Sequence, residues 1–286
     1  MGKVSAQDDV QIVAQQFGQG IWRLEGRGGN IILLDGPDTA LMIDDQFAPL
    51  TEKILKTVDD LTGKEVAYVI NTHWHGDHTG GNENMGEAGS VIVAHRNVRQ
   101  RMSQENFNEL WNSTTPPSPD GALPVITFTE EMSLYWGEHE LRIVHVPNAH
   151  TDGDAMVHFT DLDVLHVGDT WFNGLWPYID VWSGGSSKGV LGALDYILEV
   201  AGPTTRVVCG HGPMGTRQDI ETYREFIIGI RTSVMELIKE GKSLEEIVEL
   251  NPAAPYEDEF GGGFLSTAQF LTIFHKDLSE ELSQQD

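Results

Sequence analysis

Asn71-Thr72-His73-Trp74-His75-Gly76-Asp77-His78-Thr79-Gly80-Gly81-Asn82 decides how this chain is read. Four side chains that suit a divalent metal fall within six residues, and Gly76 between them lets the backbone curl so that they converge. The continuous apolar run just before, residues 66–70, reads as a buried strand, so the motif sits at a strand end. Imidazole and carboxylate without thiolate favour Zn²⁺ or its first-row neighbours. Two imidazoles two residues apart and a carboxylate–imidazole pair exceed what one tetrahedral ion uses, so two metals are implied.

Further donors lie where strands end. His150 follows a strand in Pro147-Asn148-Ala149-His150-Thr151-Asp152-Gly153-Asp154, Asp169 sits in Val167-Gly168-Asp169-Thr170, and His211 in Cys209-Gly210-His211-Gly212-Pro213. Each has Gly or Pro close by, as fits ligands on tight turns at the rim of a rigid scaffold. The remaining histidines (His95, His139, His145, His158, His166 and His275) read as packed or solvent-facing, with His166 close to the site without coordinating. Cys209 closes an apolar strand and reads as a buried, inert thiol.

Working outward, residues 20–25, 30–34 and 40–43 are short apolar strands separated by the Gly28-Gly29 and Gly36-Pro37-Asp38 turns, an antiparallel meander. Residues 50–61 have helical spacing; residues 90–94 form a strand leading into a helix over 97–102. Four prolines among residues 112–124 mark a loop inside a domain, because strands resume on both sides. Strands follow at 132–136, 140–146, 155–159, 162–167 and 205–209, with a helix over 187–201 before the last. After residue 216 the pattern is helical: a long amphipathic helix over 219–241, a short one capped by Ser243 with Glu246, and a last one opened by Ser266. Strands, then mixed elements, then helices predict a layered α/β sandwich with a helical C-terminal extension.

Composition narrows the function. The 286 residues carry 18 Lys+Arg against 44 Asp+Glu, a formal charge of −26, spread as −17 over residues 1–216 and −9 over the rest. Such acidity disfavours nucleic acid and anionic membrane surfaces as partners and favours a small molecule. No apolar run reaches the roughly 18 to 20 residues of a membrane span. One cysteine forbids an internal disulfide. The polar residues 1–7 read as a natural start or as the scar of a removed leader.

The HxHxDH signature, followed in order by His150, the Gly168-Asp169 turn and the Gly210-His211-Gly212 turn, resembles the metallo-β-lactamase-fold hydrolase superfamily. The resemblance implies an αββα four-layer sandwich over residues 10–216 as the catalytic domain, with 217–286 as the helical extension packed on it. It implies that His73, His75 and His150 hold a first metal and Asp77, His78 and His211 a second, with Asp169 bridging both and Asp77 counted as catalytic. Asp44, at the end of the third strand, matches a position that supports the ligands. Two Zn²⁺ per chain, with Mn or Fe as alternatives, would share a hydroxide that attacks a cyclic amide or ester, β-lactams among the substrates.

One departure qualifies this. The cysteine-ligand lactamases have a thiolate where Asp169 stands, and His78 together with a bridging carboxylate is similar to glyoxalase II and other thioester or phosphodiester hydrolases of the same fold. A non-hydrolytic flavo-diiron protein is the outside reading, disfavoured by His75 and the lack of a flavin domain. Residues 169–192 and 261–265 look like a periplasmic or secreted branch, which the acidic surface suits; a cytoplasmic setting is the alternative. On the substrate side, Trp74, Trp171 and Trp176 are expected to line the cleft, Trp22 and Trp136 to pack in the core. Between Met102 and Thr205 the only cations are Arg142 and Lys188, so Lys188, at a helix start capped by Ser186 or Ser187, is the expected anchor for a substrate carboxylate. Oligomeric state is not readable from these patterns.

Overall fold

Short apolar runs that cannot bury both faces alone pair into sheets, and the chain begins this way. The computed structural model describes residues 10–284; residues 1–7, the natural start or scar of the sequence reading, lie outside the described residues. Strands β1 (Val13–Gly18), β2 (Ile21–Glu25), β3 (Ile31–Leu34) and β4 (Ala40–Ile43) form an antiparallel meander. β4 is joined in parallel by β5 (Val66–Ile70) through helix α1 (Thr51–Thr62), which buries Ile54 and Val58 and ends at Gly63. After α2 (Gly76–Thr79) and α3 (Asn82–Glu87) come β6 (Val91–His95) and α4 (Arg96–Met102). β7 (Asn106–Asn108) and β8 (Ser113–Thr115) make a two-stranded ribbon, and β9 (Ile126–Phe128) completes a seven-stranded sheet in the order β1-β2-β3-β4-β5-β6-β9. Every residue of β3 and β4 is buried, the mark of strands covered on both faces.

A second antiparallel run joins β10 (Glu131–Trp136), β11 (His139–His145), β12 (Ala155–Phe159) and β13 (Val164–His166). In β10 exposed and half-buried residues alternate, as in a strand with one face in water. Trp22 packs in the core with Leu24, Leu33 and Met42, as its expected role requires. Trp136 is half-buried, its ring edge-on to Tyr68 at 5.7 Å.

The remaining elements are α5 (Ser187–Val200), β14 (Arg206–Val208), α6 (Arg217–Lys239), α7 (Leu244–Leu250), α8 (Glu257–Phe260) and α9 (Thr267–Ser283). The long helix begins two residues earlier than its spacing predicts, because Thr216 and Asp219 form a capping box there. Ser243 closes a capping box with Glu246 as expected, and Ser266, expected to open the last helix, does so through a capping box with Gln269.

Contacts divide the chain otherwise than at residue 216. Among the described residues, one unit holds 10–106, 115–145 and 155–168; the other holds 107–114, 146–154 and 169–284. The reason is local: α5, inside the expected catalytic domain, packs against α6, and α6 against α9, so the C-terminal helices and α5 share one core. No described helix is long and apolar enough to cross a membrane.

Candidate metal centre

In the first unit the donors hang from the carboxyl ends of two neighbouring parallel strands, where open α/β sheets bind ligands. β4 ends at Ile43 and delivers Asp44 and Asp45; β5 ends at Ile70 and delivers the motif. Asp44 (φ 62°) and Gln46 (φ 58°) both take the left-handed backbone conformation, which costs a non-glycine residue about 1–2 kcal/mol. The strained turn turns Asp44 back onto the motif. Its Oδ1 accepts from Thr72 N at 2.8 Å, and its Oδ2 accepts from the Thr72 hydroxyl at 2.8 Å and from His78 Nδ1 at 2.8 Å.

This arrangement fixes the imidazoles. The Thr72 hydroxyl spends its proton on Asp44, so its oxygen accepts from His73 Nδ1 at 3.0 Å. His73 Nε2 is left facing His75 Nδ1 at 3.1 Å, and His78 Nε2 lies 3.7 Å from Asp77 Oδ2. Asp77 and His78 ride on α2, whose first turn starts at His75. A methyl group at Gly29 would stand 2.1 Å from the His78 ring, so the Gly28-Gly29 turn leaves room for that imidazole. Gly168 (φ 53°) likewise comes close to Thr72.

The second unit carries its own donors. Asp169 lies in the turn after β13, 6% exposed, with its Oδ2 3.7 Å from His150 Nε2 and 3.4 Å from His211 Nε2. His150 is buried; its Nδ1 donates to the Tyr178 carbonyl at 2.6 Å. Asp154 accepts from the backbone N–H groups of His150 and Thr151, at 2.6 and 2.8 Å, and holds that turn. Phe172 backs both rings, stacked on His211 at 5.7 Å and tilted to His150 at 5.9 Å.

In the first unit His73 and His75 face one another beside Asp77 and His78, and in the second Asp169 lies beside His150 and His211. The donor set fits divalent metal. In His73, His78 and His150 the outer ring nitrogen is engaged by an acceptor, which places its proton there and leaves the lone pair of the inner nitrogen available, the arrangement of metal-binding histidines.

Cys209 is buried with its Sγ directed at the His211 and Pro213 carbonyls, as expected of an inert thiol. His166 bonds the Asn30 carbonyl and Gly168 N, a satisfied core histidine. Sequence reasoning missed Thr72, Asp45, Asp154, Phe172 and the Tyr178 carbonyl. Asp45, fully buried beside Asp44, accepts from Gly81 N at 2.9 Å; burial first, and then its neighbour's charge, drives its carboxyl well above the usual range. An Asp-Asp pair at the end of an apolar strand was the available signal.

The substrate-side expectations need correction. Trp171 and Trp176 are each 1% exposed, and Trp176 stacks on Phe270 at 4.3 Å. Core aromatics of α6 and α9 claim that indole, so neither ring has surface left for a substrate. Lys188 is exposed, but the helix end it was expected to serve is filled. Ser186 caps Gly189 N at 2.9 Å, and Asp277 Oδ2 accepts from Ser187 N at 3.0 Å and from the Ser187 hydroxyl. A carboxylate of the chain itself occupies the place expected for a substrate carboxylate. Trp74 does line a cavity, one of about 190 Å³ within the first unit, together with His75, Glu83, Arg101 and Thr115.

The profile of the metallo-β-lactamase superfamily matches residues 24–212. Curated relatives named hydroxyacylglutathione hydrolase are similar: that of Synechococcus sp. (strain JA-2-3B'a(2-13)) is 28% identical over 187 residues, covering 65% of this chain and 64% of the relative. That of Gloeobacter violaceus is 30% identical over 139 residues, 48% of this chain and 45% of the relative. The chain thus spans less than two thirds of the length of these relatives. Among solved structures, a metallo-β-lactamase from Pontibacter korlensis superposes with a TM-score of 0.62 at 17% identity, covering 76% of this chain and 99% of that one. A double mutant of the sec-alkyl sulfatase PisA1 gives 0.70 at 16% identity, covering 94% and 50%. At such identities the superpositions establish the fold alone, and the profile match establishes the family. The chain belongs to the metallo-β-lactamase superfamily.

Proposed function

We propose that this protein hydrolyses thioesters of small thiols at a two-metal centre held by His73, His75 and His150 on one side and Asp77, His78 and His211 on the other, with Asp169 between them. The observation that carries the reading is Asp169: a buried carboxylate within 4 Å of two imidazoles, where a thiolate ligand would mark a cysteine-type lactamase. The relatives named hydroxyacylglutathione hydrolase support thioesters over the cyclic amides and esters that the motif alone placed first.

A bound pair of divalent cations, zinc foremost, supplies electrophilic polarisation of the carbonyl and a lowered pKa for water near 7. The chain's own residues do the rest. Asp44 and Thr72 keep the protons of His78 and His73 on the outer nitrogens, so the inner ones stay basic. The Tyr178 carbonyl does the same for His150. Asp77, partly exposed beside His78, is placed to take a proton from attacking water. A thioester suits a site of this kind, because a thiolate with a pKa of about 8.5 leaves with little help from a general acid.

A hydrolysis screen across a glutathione thioester, a lactone, a β-lactam and a phosphodiester tests the reading. The thioester should give the highest kcat/KM, lost on chelation and restored by Zn²⁺. A β-lactam or phosphodiester turned over faster than the thioester would overturn it.

A further inference from the structure

Three aromatic rings in the second unit stand in mutual contact beside His150 and His211. Trp111 and Tyr178 are 6.1 Å apart between centroids, Tyr178 and Phe264 6.1 Å, and Trp111 and Phe264 6.5 Å. Tyr178 meets the His150 ring edge-on at 5.7 Å, and Phe264 lies 6.5 Å from the His211 ring. Tyr178 is nearly buried, whereas Trp111 and Phe264 are 40% and 54% exposed. Exposed large apolar rings touching one another and continuous with a metal-ligand cluster mark a binding surface in a chain this acidic.

The exposure is built in. The segment carrying Trp111 is fastened at four points: Asn108 donates to the Tyr178 hydroxyl at 2.7 Å and to Asp180 Oδ1 at 3.3 Å, its own Oδ1 accepts from Trp111 N at 3.3 Å, and Glu109 accepts from Trp182 Nε1 at 2.9 Å. Lys276 of α9 lies 3.7 Å from Glu109. None of the three rings carries a charge, so the surface rewards desolvation of an apolar group.

We propose that Trp111, Tyr178 and Phe264 form a subsite for an apolar acyl group, so that the preferred substrates are thioesters of medium-chain or aromatic acids rather than of small polar ones. This rests on the hydrolase reading above for its catalytic consequence, and on the ring geometry for binding.

The test compares acetyl, butyryl and hexanoyl thioesters of one thiol on the metal-loaded full chain. Each buried methylene is worth about a three- to fourfold gain in kcat/KM, so hexanoyl should exceed acetyl by on the order of 100-fold. Phe264→Ala and Trp111→Ala should each cut that ratio about tenfold. A ratio near one in the unsubstituted protein, or a ratio unchanged in both variants, would overturn the proposal. A second arm needs no turnover: hexanamide, titrated against tryptophan fluorescence, should give a saturable change that acetamide does not, and that Trp111→Phe abolishes. If no thioester is hydrolysed, the function reading fails while this titration still decides the subsite; no hexanamide response would end it.

Discussion

Asp44 and Asp277 are the same device used twice, with opposite outcomes. Each is a buried carboxylate that accepts the backbone N–H and the hydroxyl of a single residue, Thr72 for Asp44 and Ser187 for Asp277. The third partner differs. Asp44 holds His78 Nδ1, a ring whose other nitrogen is a proposed ligand atom, whereas Asp277 sits 3.7 Å from Arg231, whose other contacts are Ser187 and Glu281. Fixing an imidazole passes the carboxylate's influence on to chemistry; fixing a permanently charged guanidinium ends it in packing. The start of α5 attracts an anion as helix N-termini do, but the attraction is answered from within by a residue 90 positions away.

Substitutions separate the two. The largest effect is expected from Asp44→Ala, which strands the Thr72 N–H and the His78 Nδ1–H in a buried site at about 1–3 kcal/mol each and should lower metal affinity about 10- to 100-fold; competition with a chromophoric chelator measures it. Gly29→Ala follows, because the added methyl collides with the His78 ring: about 1–3 kcal/mol of stability and a parallel loss of bound metal, read by melting and metal analysis. Asp277→Ala should cost about 2 kcal/mol, a fall of several degrees in Tm, with metal content per folded chain unchanged. Burial raises the Asp277 pKa despite the Ser187 and Arg231 contacts, so its contribution is fullest below the unfolded carboxyl value and diminishes as pH rises through the folded one. Asp277→Asn should therefore lose less stability than Asp277→Ala, and its deficit against the unsubstituted protein should shrink as pH rises. Lys188→Ala is the smallest: stability within about 0.5 kcal/mol and an unchanged KM for an anionic thioester.

The comparison also explains what was legible. The HxHxDH motif, the two glycine turns and Asp44 are readable because they are local patterns of side chains at strand ends; in the first unit Asp44 bonds the motif at Thr72 and His78, and in the second Asp169 lies beside His150 and His211. The meander, the capping box at Ser243 and the start of the last helix at Ser266 are readable for the same reason. β1 was not, because its residues Val13 to Gln16 are exposed and polar-rich and its pairing with β2 is a matter of backbone hydrogen bonds. Nor was the hold on His150, which comes from a backbone carbonyl that any residue could supply. Trp171 and Trp176 were assigned to the substrate on nearness in sequence to Asp169, whereas the rings that face outward, Trp111 and Phe264, come from segments far from it in the chain.

On the proposed function, Asp44, Thr72 and the ligands they hold make a centre that needs two metals to cleave a thioester. Titrating metal-free protein with Zn²⁺ while following hydrolysis of a glutathione thioester tests it most directly. The account predicts no turnover without metal and a rise that levels off at two equivalents per chain; full turnover in the metal-free protein, or a plateau reached at one equivalent, would contradict it.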